Sequence, residues 1–295
     1  MKPITVWSIA LLVASGAGGG AYLFLSETPP VASEVVVSAA HPKVAETEPP
    51  KVRYPIQPRA ADPTAVETKK TASTTPTKTP PPQPPVNALP RLDASDLAVI
   101  EKLGKIVELE RLERLFNIEN FVRRIVVTID NLPRRQVPPR YYPVTPITGK
   151  FQALGEEGKQ TLSEKNYRRY EDYVTLIETV DVNTAVAVYA FLYPLFQEAY
   201  EDLGYPDAYF NDRLVEAIDD LIASPELAGP VKLVRPSVMF KYADPELERL
   251  SAGQKIMIRM GSGNANRVKI RLVQFRREIT RSERVAGRDD LERAN

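Results

Sequence analysis

The chain has no cysteine and a single histidine, His41. Without cysteine it forms no disulfide, carries no lipid on a thiol and offers no thiolate to a metal or a substrate. His41 lies in a proline-rich stretch, so the part of the chain able to bury a core has no histidine at all. That removes Cys–His and Ser–His–Asp catalysis, zinc sites built on His or Cys, and histidine-based pH switching. Net charge is also small, +1, and a chain so close to neutral lacks the bulk electrostatic footprint of a nucleic-acid binder. No motif calls for a cofactor. No cofactor, metal ligand or catalytic residue is therefore expected, and no nucleic acid among the partners.

Long uncharged runs are scarce, with one exception. From Ile4 to Leu25 there are 22 residues without a charge, and an α-helix needs roughly 20 to cross a hydrocarbon core. Lys2 and the α-amino group precede this run, and no Lys or Arg follows until Lys43. The positive-inside rule then places the N-terminus in the cytoplasm and the rest of the chain outside. The small residues from Ala14 to Ala17 also resemble a signal-peptide cleavage site, but Ala21 to Leu25 carry the apolar run on to spanning length, which favours an uncleaved anchor. Gly16 and Gly20 form a Gly-x-x-x-Gly pair, the spacing at which two membrane helices approach closely, so a homodimer through this pair is one expected assembly.

The stretch from Glu27 to Ala88 is rich in proline, Thr, Ala and Val, and includes "KTPPPQPP" from Lys78 to Pro85. Such a composition cannot offset the entropy of ordering and favours polyproline II over a packed core. As a tether of about 60 residues it reaches at most on the order of 190 Å at about 3.1 Å per residue. The organisation expected is an N-terminal transmembrane anchor over residues 1–26, a disordered proline-rich linker over 27–88, a helical domain over 89–280 and a disordered tail over 281–295.

Within 89–280 the apolar residues recur at helical spacing. Ile118, Phe121, Val122, Ile125, Ile129 and Leu132 trace one stripe, and Val268, Leu272, Phe275 and Ile279 another. Further helices are expected at Asp96 to Phe116, Ser163 to Thr179, Asn183 to Leu203, Asp207 to Ala223 and Pro245 to Met260. The helix from Asn183 has no charge until Glu198 and reads as the central one, with Pro194 set to kink or open it. Val231 to Asp244 alternates like a short hairpin. The fold class is thus mainly α: a helical bundle with a small β-hairpin, preceded by a transmembrane helix and a disordered linker.

Three local features stand out. "DNLPRRQVPPRYYPVTPITG", from Asp130 to Gly149, is a long proline-rich loop in which Arg134, Arg135 and Arg140 stand beside Tyr141 and Tyr142. Guanidinium forks and aromatic faces suit an anionic or sugar-like ligand, so these five residues form a candidate binding surface. The same residues also suit a strap fastened to the bundle, with Asp130 pairing Arg134. Second, Lys255 to Arg277 carries seven basic residues and no acidic ones, whereas Glu198 to Asp220 carries eight acidic residues and only Arg213. Two such regions either face one another or leave the basic one for an acidic partner. Third, "RMGSGNANRVK" reads as a C-cap glycine followed by an Asn264 N-cap. Asp130, Asp172, Glu178 and Asp181 are the acids from which a glycan-cleaving carboxylate pair would have to come, set against ordinary exposed helix faces.

"FVRRIVVTIDNLPRR", "YAFLYPLFQEAYEDLGYP", "YADPELERL" and "KIMIRMGSGN" together resemble the bacterial family known as domain of unknown function 3014 over most of Leu89 to Thr280. The resemblance extends to the layout of membrane segment and proline-rich linker. It implies a bacterial envelope protein and carries over no catalytic or binding residue. The function expected is that of a single-pass inner-membrane protein, anchored through residues 4–25, whose periplasmic domain binds or scaffolds envelope proteins or an anionic wall polymer without catalysis. The alternative is a carboxylate-dependent envelope enzyme acting on glycans.

Overall fold

Apolar stripes at intervals of three and four residues become helices wherever a cap stops them, and about half of the described residues are built that way. The computed structural model describes residues 52–56 and 89–281. Among the described residues are nine α-helices: α1 (Asp96–Gly104), α2 (Leu109–Leu115), α3 (Phe121–Asn131), α4 (Glu171–Thr179), α5 (Val182–Asp202), α6 (Phe210–Ile222), α7 (Pro245–Arg249), α8 (Ala252–Arg259) and α9 (Ser262–Ile279). Two short antiparallel hairpins complete the fold, β1 (Ala153–Leu154) with β2 (Thr161–Leu162), and β3 (Leu233–Val234) with β4 (Lys241–Tyr242). The fold is therefore mainly helical. The anchor, Gly16, Gly20, most of the linker and all but the first residue of the tail lie outside the described residues.

The expected central helix forms as α5, running unbroken through Pro194, whose ring is on the exposed side. Asp181 caps it, accepting from the Thr184 amide at 2.9 Å. α5 packs on α1, α3, α6 and α9, and α9 in turn packs on α4, α6 and α8, so two helices share the centre. Among the described residues no single helix is long and apolar enough to cross a membrane.

Three expected helices are shorter than periodicity suggested. The span Asp96 to Phe116 is two helices, because the chain turns after Gly104 and drops Ile106 and Val107 into the core. The span Ser163 to Thr179 begins as a 3-10 helix over Glu164–Tyr170 before α4. The span Pro245 to Met260 breaks at Leu250, after which the Ser251 hydroxyl caps α8 through the Gln254 amide at 3.0 Å. α3 starts without a local cap. Instead Asp96, at the start of α1, accepts from the amides of Asn120 at 2.8 Å and Phe121 at 3.0 Å.

The β1/β2 hairpin was not foreseen from the sequence. It pairs with the foreseen one through Leu162 N–H to Val231 O and Leu233 N–H to Gln160 O, both 2.8 Å. The small sheet so formed covers a second core of Leu162, Val231, Leu233, Tyr242 and Ile258.

Asn264 is not an N-cap. α9 begins two residues earlier, with Gly261 as its cap, and the Asn264 side-chain amide donates to the Tyr167 carbonyl at 3.0 Å. Gly261 has φ +84°, and a Cβ there would meet the Tyr167 ring at 2.7 Å. Gly261→Ala combines a left-handed backbone with overpacking, and we expect a loss of about 2–4 kcal/mol. Urea unfolding measures it; a change below about 0.5 kcal/mol would show that the Tyr167 ring moves aside freely.

Candidate functional site

The long loop after α3 is held to the bundle through its main chain. The Asn117 side-chain amide donates to the carbonyls of Tyr142 and Val144, both at 3.0 Å, and Thr128 Oγ1 donates to the Tyr141 carbonyl at 3.1 Å. Arg134 is a fastener, donating to the Asp130 carboxylate at 2.9 Å and to the Tyr205 hydroxyl at 2.8 Å. Arg140 is exposed and lies over the ring of its neighbour Tyr141 at 4.8 Å. Of the five loop residues with binding chemistry, the structure brings two, Arg135 and Tyr142, to one cavity.

That cavity, about 340 Å³, lies between the loop, α8 and the β3–β4 turn, and a second one of about 220 Å³ lies on the other side of the same turn. Arg259, Lys241, Phe240 and Met239 line both. Arg259 is the last residue of α8, flanked by the buried Ile258 and Met260, so the helix itself carries its guanidinium inward. Around it stand Tyr142, Tyr170 and Tyr242, each under 10 % exposed. The Tyr242 hydroxyl donates to the Lys255 carbonyl at 3.1 Å and turns its oxygen toward Arg259. Among the described residues Arg259, Arg135 and Lys241 form no ion pair.

The nearest acid, Glu248, is already engaged. It accepts from the Tyr242 amide at 3.0 Å and lies 3.8 Å from Lys255 Nζ, which also donates to the Glu248 carbonyl. Burial lowers the Lys255 pKa, and Arg259, Arg135 and Lys241 push it further down against the pull of Glu248. Three cations thus share the groove with this ammonium and a single carboxylate, Glu248. Arg169 also lines the smaller cavity but donates to the carbonyls of Gly149 at 2.8 Å and Thr148 at 3.1 Å, so it fixes the loop. A guanidinium fork and two ammonium groups are donors suited to an oxyanion, and the Phe151–Phe240 pair, 5.4 Å between centroids, adds an apolar wall.

A larger cavity of about 580 Å³ lies beside the start of α9, but its charged lining, Glu164, Lys165 and Glu226, is of mixed sign. The four acids considered for glycan cleavage are each engaged in a structural contact. Asp130 pairs Arg134 and Arg213, Asp172 pairs Arg114, Glu178 pairs Arg267, and Asp181 caps α5. No cluster of three or more metal-ligating side chains occurs among the described residues. The acidic and basic regions do meet, through Arg276 and Asp219 at 2.9 Å, although Arg267 turns instead to Glu171 and Glu178 of α4.

Arg259 escaped the sequence reading although a signal was present: a cation inside the apolar run "IMIRM" of an amphipathic helix. Comparison with known proteins gives one match: the family model described as "Protein of unknown function (DUF3014)" fits residues 121–276. It spans α3 to α9 and so includes Arg259 and all five loop residues, while α1 and α2 precede it. No curated protein and no solved structure matches the chain. More than half of its length fits that model, and the chain belongs to the DUF3014 family.

Proposed function

We propose that this protein is a non-catalytic binding or scaffolding protein of the bacterial envelope, held in the inner membrane by residues 4–25, whose periplasmic domain captures an oxyanionic group of an envelope polymer in the Arg259 groove. One observation carries the binding step: a partly buried guanidinium at the junction of two cavities, with cations and tyrosines around it and no carboxylate paired to it. A positive charge kept away from water without a counter-ion costs stability, so an anion that supplies the missing partner binds with favourable desolvated electrostatics. The uncharged N-terminal run and the proline-rich stretch support the anchored, extended placement.

The test is titration of the full chain in detergent with solubilised wall-polymer fragments bearing phosphate or carboxylate. Arg259→Met should weaken binding at least tenfold, roughly the 1.4 kcal/mol or more expected for a charge-assisted hydrogen bond. It should leave the melting temperature unchanged or raised, because it removes an uncompensated cation and keeps the packing volume. Equal binding by wild type and Arg259→Met would reject the groove. For location, a topology reporter fused after Thr280 should be active only outside the cytoplasm, and cytoplasmic activity would reject the anchored orientation.

A further inference from the structure

Residues 52–56, Val52-Arg53-Tyr54-Pro55-Ile56, belong to the stretch expected from sequence to be a disordered linker, and 32 residues separate Ile56 from Leu89. They depart from that reading, because they lie against the start of α6. The Asp212 carboxylate accepts from two consecutive amides, Arg53 at 3.0 Å and Tyr54 at 2.8 Å. The Tyr209 hydroxyl accepts from the Ile56 amide at 2.7 Å. The Asn211 side-chain amide donates to the Tyr54 carbonyl at 2.9 Å. Pro55, which has no amide hydrogen, falls between these contacts and needs no acceptor.

The reading groups are fixed by the domain. Asn211 is fully buried, and the Tyr189 hydroxyl donates to its Oδ1 at 2.9 Å, which sets the amide orientation and aims its N–H₂ at the segment. Side chains here do for a bent peptide what a sheet edge does in strand addition: they satisfy its main-chain groups. Side-chain selectivity comes from Tyr54 and Ile56, both packed against the main core, with the Tyr54 hydroxyl beside Arg276 of α9. Arg53 contributes little, its guanidinium being mostly exposed and 4.0 Å from Asp212.

We infer that the start of α6 is a peptide-recognition site for a Tyr-Pro-aliphatic motif, bent at Arg53 and Tyr54 and occupied in cis by residues 52–56. Docking shortens the connection between the domain and everything N-terminal to residue 52. Release would add 32 residues of slack, on the order of 100 Å if extended.

The experiment uses the full chain in detergent with a protease site inserted after Ala72, so that no contact residue is changed. The probe is a fluorescent peptide of residues 49–59. Cleavage followed by dilution should release the N-terminal piece and open saturable probe binding that the uncleaved chain lacks. Asp212→Ala, and probes carrying Tyr54→Ala or Ile56→Ala, should each weaken that binding at least tenfold. Failure of the probe to exchange in, equal binding of a scrambled probe, or unfolding of the domain on release would each overturn the inference. The last would show the segment to be an integral strand of the core. Uncleaved dimers that trade segments between copies would overturn the occupancy in cis.

Discussion

Asp130→Ala should lower the stability of the domain by about 3 kcal/mol, the low end of the penalty for breaking a buried ion pair, which for a domain of this size is roughly 6–12 °C in melting temperature. Asp130 lies near the end of α3 and is 4 % exposed. Its carboxylate accepts from Arg213 Nε at 3.1 Å and from Arg134 at 2.9 Å, so it joins α3, α6 and the long loop at one point. Removing it leaves the Arg213 guanidinium, itself largely buried, facing a hole. Arg213 keeps two contacts, Glu216 at 2.7 Å and the residue-130 carbonyl, which is why the low end applies. If the cost is stranded charge, Asp130→Ala made on top of Arg213→Met should cost far less than in the wild type. Urea unfolding of the four proteins measures the coupling. Additive losses would mean that the penalty is lost packing and that no charge is stranded.

The contrast between Asp130 and Arg259 shows how much of this protein was legible in its sequence. The pairing of Asp130 with Arg134 is an i, i+4 relation and can be read locally; its pairing with Arg213 spans 83 residues and cannot. α3, α5, α6 and α9 were legible because each buries one stripe or, for α5, nearly every face. The break between α1 and α2 was not, since Ile106 and Val107 keep the apolar content high where the chain turns. The Arg259 groove needs Tyr142, Tyr170 and Tyr242, which only the folded chain collects, and of the loop arginines that drew attention one, Arg134, is a fastener, one, Arg135, reaches the groove and one, Arg140, is exposed. The docked segment did leave a trace. Tyr54 is the only aromatic residue between Phe24 and Phe116, an oddity that a uniform proline-rich composition concealed.

The second large effect is alkaline unfolding. Burial raises the pKa of Tyr170 and of Tyr200 to about 12, and raises Tyr242, Tyr173 and Tyr189 as well. A tyrosine in the unfolded chain ionises near 10, so above that pH the unfolded state sheds protons that the folded state retains. The native state then binds more protons, and stability falls as pH rises. The contribution is complete below about pH 10 and lost by about pH 12, and two pKa units amount to roughly 3 kcal/mol for each of Tyr170 and Tyr200. Lys255 acts in the opposite sense, since its lowered pKa lets the folded state discharge it first, but it is a single group against several tyrosines. Because total stability is commonly about 5–15 kcal/mol, two such losses remove a large share of it, and with those of Tyr242, Tyr173 and Tyr189 added the domain should unfold cooperatively between about pH 10 and 12. Tyrosinate absorbance and loss of helical circular dichroism should therefore rise together in one step. Tyrosinate forming smoothly near pH 10 with helicity intact would show that these rings reach solvent without unfolding. Tyr170→Phe removes one of the ionisations and nothing else that pH 7 requires, because its hydroxyl makes no hydrogen bond among the described residues, so its alkaline midpoint should move upward.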